Sequence, residues 1–451
     1  MHVTTVRKLR RVSSPTTVAL LVVIPAPALA LDLTLEAFHE AEYSNNIGRT
    51  STNEDDGWIQ QPGFRFSANQ DSSTVSAAAN YDARRRFQGN GYDDESTVTG
   101  SGNIEWRALR DLLTLEASNY RTESTISARG SLAPGNRQEI STTRAGGTLK
   151  LPSFSQQHLD LGYHYDFYST DETASDSTTE IATASYVIPF SETRRVALNA
   201  NRSDVDFDND LSSDYVSHEG NFQFVTSGAD TELDVALGYT EVDRSDGRDN
   251  TSGMTGHLSF DWHVRADATA SLTYERAFDS RSPRYAVGIP IPGEEVTDDS
   301  SLDEVYVSEL ASGTWTQVFG RNQLTVGATY QDIDYEDVTS DQESTGLNLS
   351  IDRRLTPSVR GSLFTYLDKT EFDVDGREDD DWNSGVRLAW EGFDRLTISM
   401  SATYFERSSD LASAEYEEWR GLLAITYRLF GKRVPGGLAS SSASGSGYPR
   451  R

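Results

Sequence analysis

Residues 231–240 read Thr-Glu-Leu-Asp-Val-Ala-Leu-Gly-Tyr-Thr. Leu233, Val235, Leu237 and Tyr239 fall at every second position, with Glu232, Asp234, Ala236, Gly238 and Thr240 between them. Successive side chains of an extended strand point to opposite faces, so this spacing gathers every large apolar group on one face. A helical period of about 3.6 residues would scatter them. The pattern returns with Leu324, Val326, Ala328 and Tyr330 against Thr325, Gly327, Thr329 and Gln331. It returns again with Leu396, Ile398, Met400, Ala402 and Tyr404, and with Ala270, Leu272 and Tyr274 opposite Thr269, Ser271, Thr273 and Glu275.

Alternation alone suits either a soluble sandwich, with one wet face, or a membrane barrel whose polar face lines a lumen. Three features favour the barrel. The alternating segments run well past the ~5–6 residues of an ordinary strand and reach the ~9–11 that a tilted membrane strand needs. Tyr239, Tyr274, Tyr330 and Tyr404 each close the apolar face at the same end, where an interfacial belt places rings with wet tips. The connections also alternate in length. Short turns (227–230, 319–322, 355–358, 392–395) alternate with longer acidic loops (204–214, 243–250, 373–381), as do the periplasmic turns and outer loops of bacterial barrels. The expectation is an all-β, antiparallel up-and-down transmembrane barrel of roughly 20 strands, with 18 to 22 acceptable.

The ends of the chain frame that barrel. Arg7, Lys8, Arg10 and Arg11 form a basic region, Val18 to Ile24 an apolar one, and Ala28-Leu29-Ala30 offers small residues to a signal peptidase. Residues 1–30 therefore read as a secretory signal, too short and too interrupted by Pro25 and Pro27 to serve as an anchor. Beyond Leu31 no apolar run approaches the ~20 residues of a helical span. Residues 31–430 read as the barrel, with no room for a helical repeat or a plug domain ahead of it. Leu423, Ile425, Tyr427 and Leu429 alternate toward lipid and Phe430 closes the segment, one position past the expected face. Such a last strand resembles the signal that the barrel-assembly machinery reads. The Gly, Ser and Ala of residues 431–451 suggest a disordered tail or the remnant of a shifted reading frame.

Charge and composition narrow the function. Seventy Asp and Glu stand against 40 Lys and Arg, a net charge of −30, and nucleic acid is thereby an unsuitable partner. Hydrophobic residues make up 36%, low for a layered soluble protein of this size and apt for a barrel with a wet interior. The absence of cysteine removes a lipid-anchored thiol, disulfides and thiolate metal sites.

Candidate chemistry is thin. His158 and His164 share a strand face, and His257 and His263 flank a segment near Trp262, yet Ser and Asp are too frequent for any pairing to define a triad. Asp204, Asp206, Asp208 and Asp210, or Asp379, Asp380 and Asp381, could meet Ca²⁺, but neither run matches a calcium loop and a solvated loop is the plainer reading. Arg84, Arg85 and Arg86 suit either lipopolysaccharide phosphates or, preferably, lumen lining. The connection 281–302, with an apolar centre at Val287 to Ile291, either folds into the lumen or caps the rim. Glu116, Glu232, Asp234 and Glu275 point to an acidic lumen that favours cations. No catalytic, cofactor or metal residue is assigned, and an enzyme is not expected.

On these strand repeats and the Ala28-Leu29-Ala30 signal, the mature chain resembles the β-barrel porin 2 family, found beside exopolysaccharide and exosortase gene clusters. The resemblance implies an outer-membrane location, lipopolysaccharide as neighbour, and passage or surface anchoring of polysaccharide with export components. A porin-like channel is the first reading and a non-conducting structural or adhesive barrel the second.

Overall fold

The computed structural model describes residues 31–431 apart from 53, 90, 91, 93, 110, 111, 126–135, 155, 172–175, 209–212, 246, 280–304, 336–340, 374 and 375. The expected signal, the tail beyond residue 431, the 281–302 connection and Asp210 lie outside the described residues.

The chain forms β1 (Asp32–Ser44), β2 (Gly57–Asp71), β3 (Val75–Gln88), β4 (Glu95–Arg107), β5 (Leu113–Thr125), β6 (Arg137–Pro152) and β7 (His158–Thr170). It continues through β8 (Ser177–Ser191), β9 (Arg194–Phe207), β10 (Tyr215–Ser227), β11 (Thr231–Arg244), β12 (Thr251–Arg265), β13 (Ala268–Asp279) and β14 (Tyr306–Phe319). The last six are β15 (Asn322–Tyr335), β16 (Gln342–Thr356), β17 (Val359–Phe372), β18 (Arg377–Phe393), β19 (Leu396–Ser409) and β20 (Tyr416–Phe430). Each pairs antiparallel with its neighbours in sequence, and β1 pairs with β20, which closes the sheet into a 20-stranded barrel. Closure leaves no edge with unpaired backbone groups, the condition for crossing lipid with strands.

A 14-residue strand such as β15, at about 3.3 Å per residue and a tilt near 40°, rises roughly 35 Å. That exceeds the ~25 Å apolar band of such barrels, so the strands project past the membrane. The outward face bears the apolar alternation: Leu237, Val326, Leu349, Leu363 and Met400 are all exposed. Toward the long connections it is closed by Tyr43 and Trp58 (ring centroids 5.4 Å apart), and by Trp382, Tyr404 and Trp419 (5.6 and 4.8 Å). Trp106, Trp262, Trp390 and Phe393 mark a second belt near the short turns. Two aromatic belts around an apolar band are what two membrane interfaces demand.

The short turns are residues 228–230, 320–321, 357–358 and 394–395 among others. At 320–321, Gly320 takes φ 63°, the left-handed conformation that the first central position of a II′ hairpin needs. In outer-membrane barrels short turns are periplasmic and long connections extracellular. The acidic loops turn out shorter than the sequence suggested. Asp204 and Asp206 belong to β9, and Asp379, Asp380 and Asp381 belong to β18. Arg377 and Arg407 neutralise Asp379 and Asp381 there, which lets the strand continue through three acids.

The misplaced Phe430 also finds its reason. The β1–β20 register runs Glu36 with Arg428 but Leu35 with Phe430, a bulge that consumes one residue. A bulge of one residue turns the following side chain to the other face. Phe430 thereby lies beside outward Leu35 and is exposed.

Candidate functional site

The candidate site is the lumen, built from the second face of every strand. Two walls differ in chemistry. Along β17–β20 and β1–β6 the inward side chains form chains of arginine and carboxylate. Arg65 meets Asp82 at 3.0 Å, and Arg84 meets Asp82 at 3.0 Å and Glu40 at 3.7 Å. Arg86 bridges Glu95 at 2.6 Å and Glu123 at 3.1 Å. Arg144 clasps Asp166 with two nitrogens, at 2.8 and 2.6 Å. Arg407 clasps Asp381 at 2.8 and 2.7 Å and reaches Asp379 at 3.7 Å. Two parallel N–H donors matched to two oxygens favour arginine over lysine at such places. The acids of this wall are largely offset by its arginines.

Along β7–β16 the lumen is richer in acids, amides and hydroxyls. Glu219, Glu232, Asp234, Asp261 and Glu275 face inward, while Arg195 and Arg354 are inward cations near the short turns. Gln223 donates to both oxygens of Asp234, at 2.9 and 3.0 Å, and His257 Nε2 lies 3.1 Å from it. Asp261 accepts from Ser271 at 2.7 Å.

The lumen is packed unevenly along its axis. Inward Ile59, Ile140, Val205, Val242, Ile333 and Phe372 are buried, and each sits near the end of its strand that borders a long connection. Inward Arg195, Gln323 and Arg354, near the short turns, are exposed. The tightest packing is at the end bearing the long connections. There residues 45–52, between β1 and β2, fold inward against β19 and β20. The Arg49 guanidinium lies 4.8 Å over Phe405 and 5.3 Å over Tyr416, and its Nε donates to Glu418 at 3.0 Å.

The aspartates beside the outer connections have structural work. Asp176, Asp214 and Asp341 accept the backbone N–H of Thr170, Phe207 and Tyr335 at 3.0, 2.9 and 2.8 Å, which closes the end of the preceding strand. Burial pushes the Asp176 and Asp341 carboxyls up, with further push from Asp208 on the first and from Asp334 and Asp373 on the second. Among the described residues no group of three or more His, Asp or Glu side chains converges as a metal site would require.

The residues singled out in the sequence fall as follows. Glu116, Glu232, Asp234 and Glu275 do line the lumen. His158 faces Asp160 at 3.5 Å, His164 faces Glu116 at 2.8 Å and His257 faces Asp234, so these three meet carboxylates rather than one another. The arginine triplet divides by parity. Arg84 and Arg86 enter the lumen network, while Arg85 points outward over Phe87 and pairs with Asp94 at 3.6 Å. The arginine wall as a whole escaped the sequence reading, because its ion pairs join strands by barrel neighbourhood.

This geometry defines the class: a closed, membrane-spanning antiparallel β-barrel with a polar interior. No family model and no curated protein matches the sequence. Solved structures do. The apoprotein form of the FrpB iron transporter from Neisseria meningitidis (F5-1 variant) is similar with a TM-score of 0.49 at 10% identity, over 88% of this chain and 81% of that one. The siderophore receptor PirA of Pseudomonas aeruginosa gives 0.46 at 13% identity, over 89% and 81%. OccK2 (OpdF) of Pseudomonas aeruginosa gives 0.41 at 13% identity, over 89% and 99%.

Proposed function

We propose that the protein is an outer-membrane channel of the porin kind, passing hydrophilic solutes with a preference for cations. The observation that carries this reading is the lumen itself. Its arginine wall is close to neutral, whereas its facing wall holds a surplus of carboxylates. Fixed carboxylates along a passage raise the local concentration of cations. A barrel of 20 strands is also wide enough to conduct unless it is obstructed.

The resemblance to the exopolysaccharide-associated barrel porins adds polysaccharide to the candidate cargo. A neutral polymer suits the acidic wall better than an anionic one, which would need a basic path. The second reading, a non-conducting structural or adhesive barrel, has one observation in its favour: the dense packing at the extracellular end of the lumen.

The test is single-channel recording of the protein, refolded without residues 1–30, in a planar bilayer under a KCl gradient. Steady steps with a reversal potential of cationic sign support the channel. Stable insertion without steps overturns it in favour of the closed barrel, and anion preference overturns the role given to the acidic wall.

A further inference from the structure

The segment that folds into the lumen has features that a surface loop does not need. Arg49 is, among the described residues, the one non-glycine with positive φ, at 47°. A side chain in that region costs of order 1–3 kcal/mol and persists only where its surroundings hold it. Here they do. The side chain of Arg49 is 4% exposed and that of Glu418 0%. Glu418 is fully satisfied: Ser44 Oγ donates at 2.6 Å, Arg49 Nε at 3.0 Å, and Arg420 Nε and Nη2 at 3.1 and 2.8 Å.

The backbone around Arg49 is fastened to the same strand. Asn45 N–H donates to Trp419 O at 3.2 Å, and Trp419 N–H returns a bond to Asn45 Oδ1 at 2.6 Å. Asn46 Nδ2 donates to Glu417 O at 3.0 Å and to Thr50 O at 2.9 Å. Ile47 is buried, and a Cβ on Gly48 would come within 2.8 Å of the Tyr92 hydroxyl oxygen. A strained residue, a buried ion pair and a double backbone clasp thus converge on eight residues at the mouth of the lumen.

We infer that residues 45–52 are a strap latched by Arg49 over the β19–β20 side of the extracellular mouth, and that release of Arg49 from Glu418 widens that end of the lumen. The inference rests on the reading of the lumen as a passage. Its energetic logic is a balance of strain and clasp. The strain at Arg49 favours release, the ion pair and the two flanking rings favour closure, and the remaining donors on Glu418 keep its charge paired when Arg49 leaves.

The chain has no cysteine, so a single Ile47→Cys reporter, within the strap and buried at 3% exposure but making none of the latch's polar contacts, is unique. The rate at which a bulky maleimide labels it is measured on the full barrel in lipid nanodiscs, beside conductance. Labelling should be slow in the Ile47→Cys parent and at least about tenfold faster with Arg49→Ala, since deleting one partner of a buried pair shifts the local opening equilibrium. Arg49→Lys should fall between them, because it keeps the charge but loses the planar stack. Arg85→Ala, an equal loss of charge on the outer face, should match the parent. Equal rates in Arg49→Ala and the parent, or fast labelling of the parent, overturn the strap. Latch-dependent labelling with no conductance in any variant overturns the channel but leaves the strap standing. Conductance with labelling indifferent to Arg49 does the reverse.

Discussion

Leu349 and Ser350 are adjacent residues midway along β16, and they face opposite media. Leu349 points outward between Val326 and Thr365 and is 41% exposed. Ser350 points into the lumen between Thr325 and Phe364. An arginine at each position tests the membrane assignment directly. On the lipid face near the bilayer midplane an arginine costs about 2–4 kcal/mol. At ~1.4 kcal/mol per factor of ten, Leu349→Arg should lower the folding equilibrium constant roughly 30- to 700-fold. Ser350→Arg meets an aqueous, acid-bearing lumen and should stay within about 0.5 kcal/mol of the parent. The assay is urea-titrated folding into lipid vesicles, followed by tryptophan fluorescence. In a soluble sandwich the outward leucine would face water, and its replacement by arginine would cost little. Equal midpoints for the two variants would refute the assignment of the apolar face to lipid.

Other expectations follow from the lumen and its rim. Arg377→Met leaves Asp379, itself 2% exposed, with Arg407 at 3.7 Å and Ser409 at 2.6 Å. Breaking a buried pair costs about 3–5 kcal/mol, and the two remaining partners place this one near the lower end. The double variant Arg377→Met/Asp379→Leu should recover most of the loss in urea midpoint, and a double variant no better than the single would sink the pairing argument. Asp341→Asn keeps an oxygen for the Tyr335 N–H and removes a carboxylate held up by burial, with Asp334 and Asp373 nearby. A raised folded pKa makes a contribution to stability that is complete below the unfolded value of 3.8 and is lost as pH rises through the folded one. The variant should therefore gain over the parent at pH 7, with the gain shrinking as pH approaches 4. A gain of equal size at both would contradict the charge explanation.

Much of the barrel was legible because its rule is local. Thr231 to Thr240 announces a strand with one apolar face from ten residues alone, and 227–230 and 319–322 announce hairpins from their turn chemistry. Where local cues misled, a neighbour was responsible. Asp379, Asp380 and Asp381 read as a loop, since three acids repel unless cations lie beside them, and Arg407 belongs to the next strand. Phe430 sat on the wrong face until the bulge opposite Leu35 was placed. The arginine triplet suggested one role for three residues, and strand parity assigned two.

Sequence by itself determined the class of structure and, where apolar residues alternate cleanly as at 231–240, 324–331 and 396–404, the side of the strand that meets lipid, because a period of two follows from backbone geometry and needs no partner. Tertiary structure decided what the lumen is. Arg49 and Glu418 lie 369 positions apart and meet at 3.0 Å only because β1 closes the barrel against β20. The arginine wall, the acidic wall opposite it and the strapped mouth all arise in this way. Ion pairs act through space across strands, and the order in which strands become neighbours is set by closure rather than by any local run of residues.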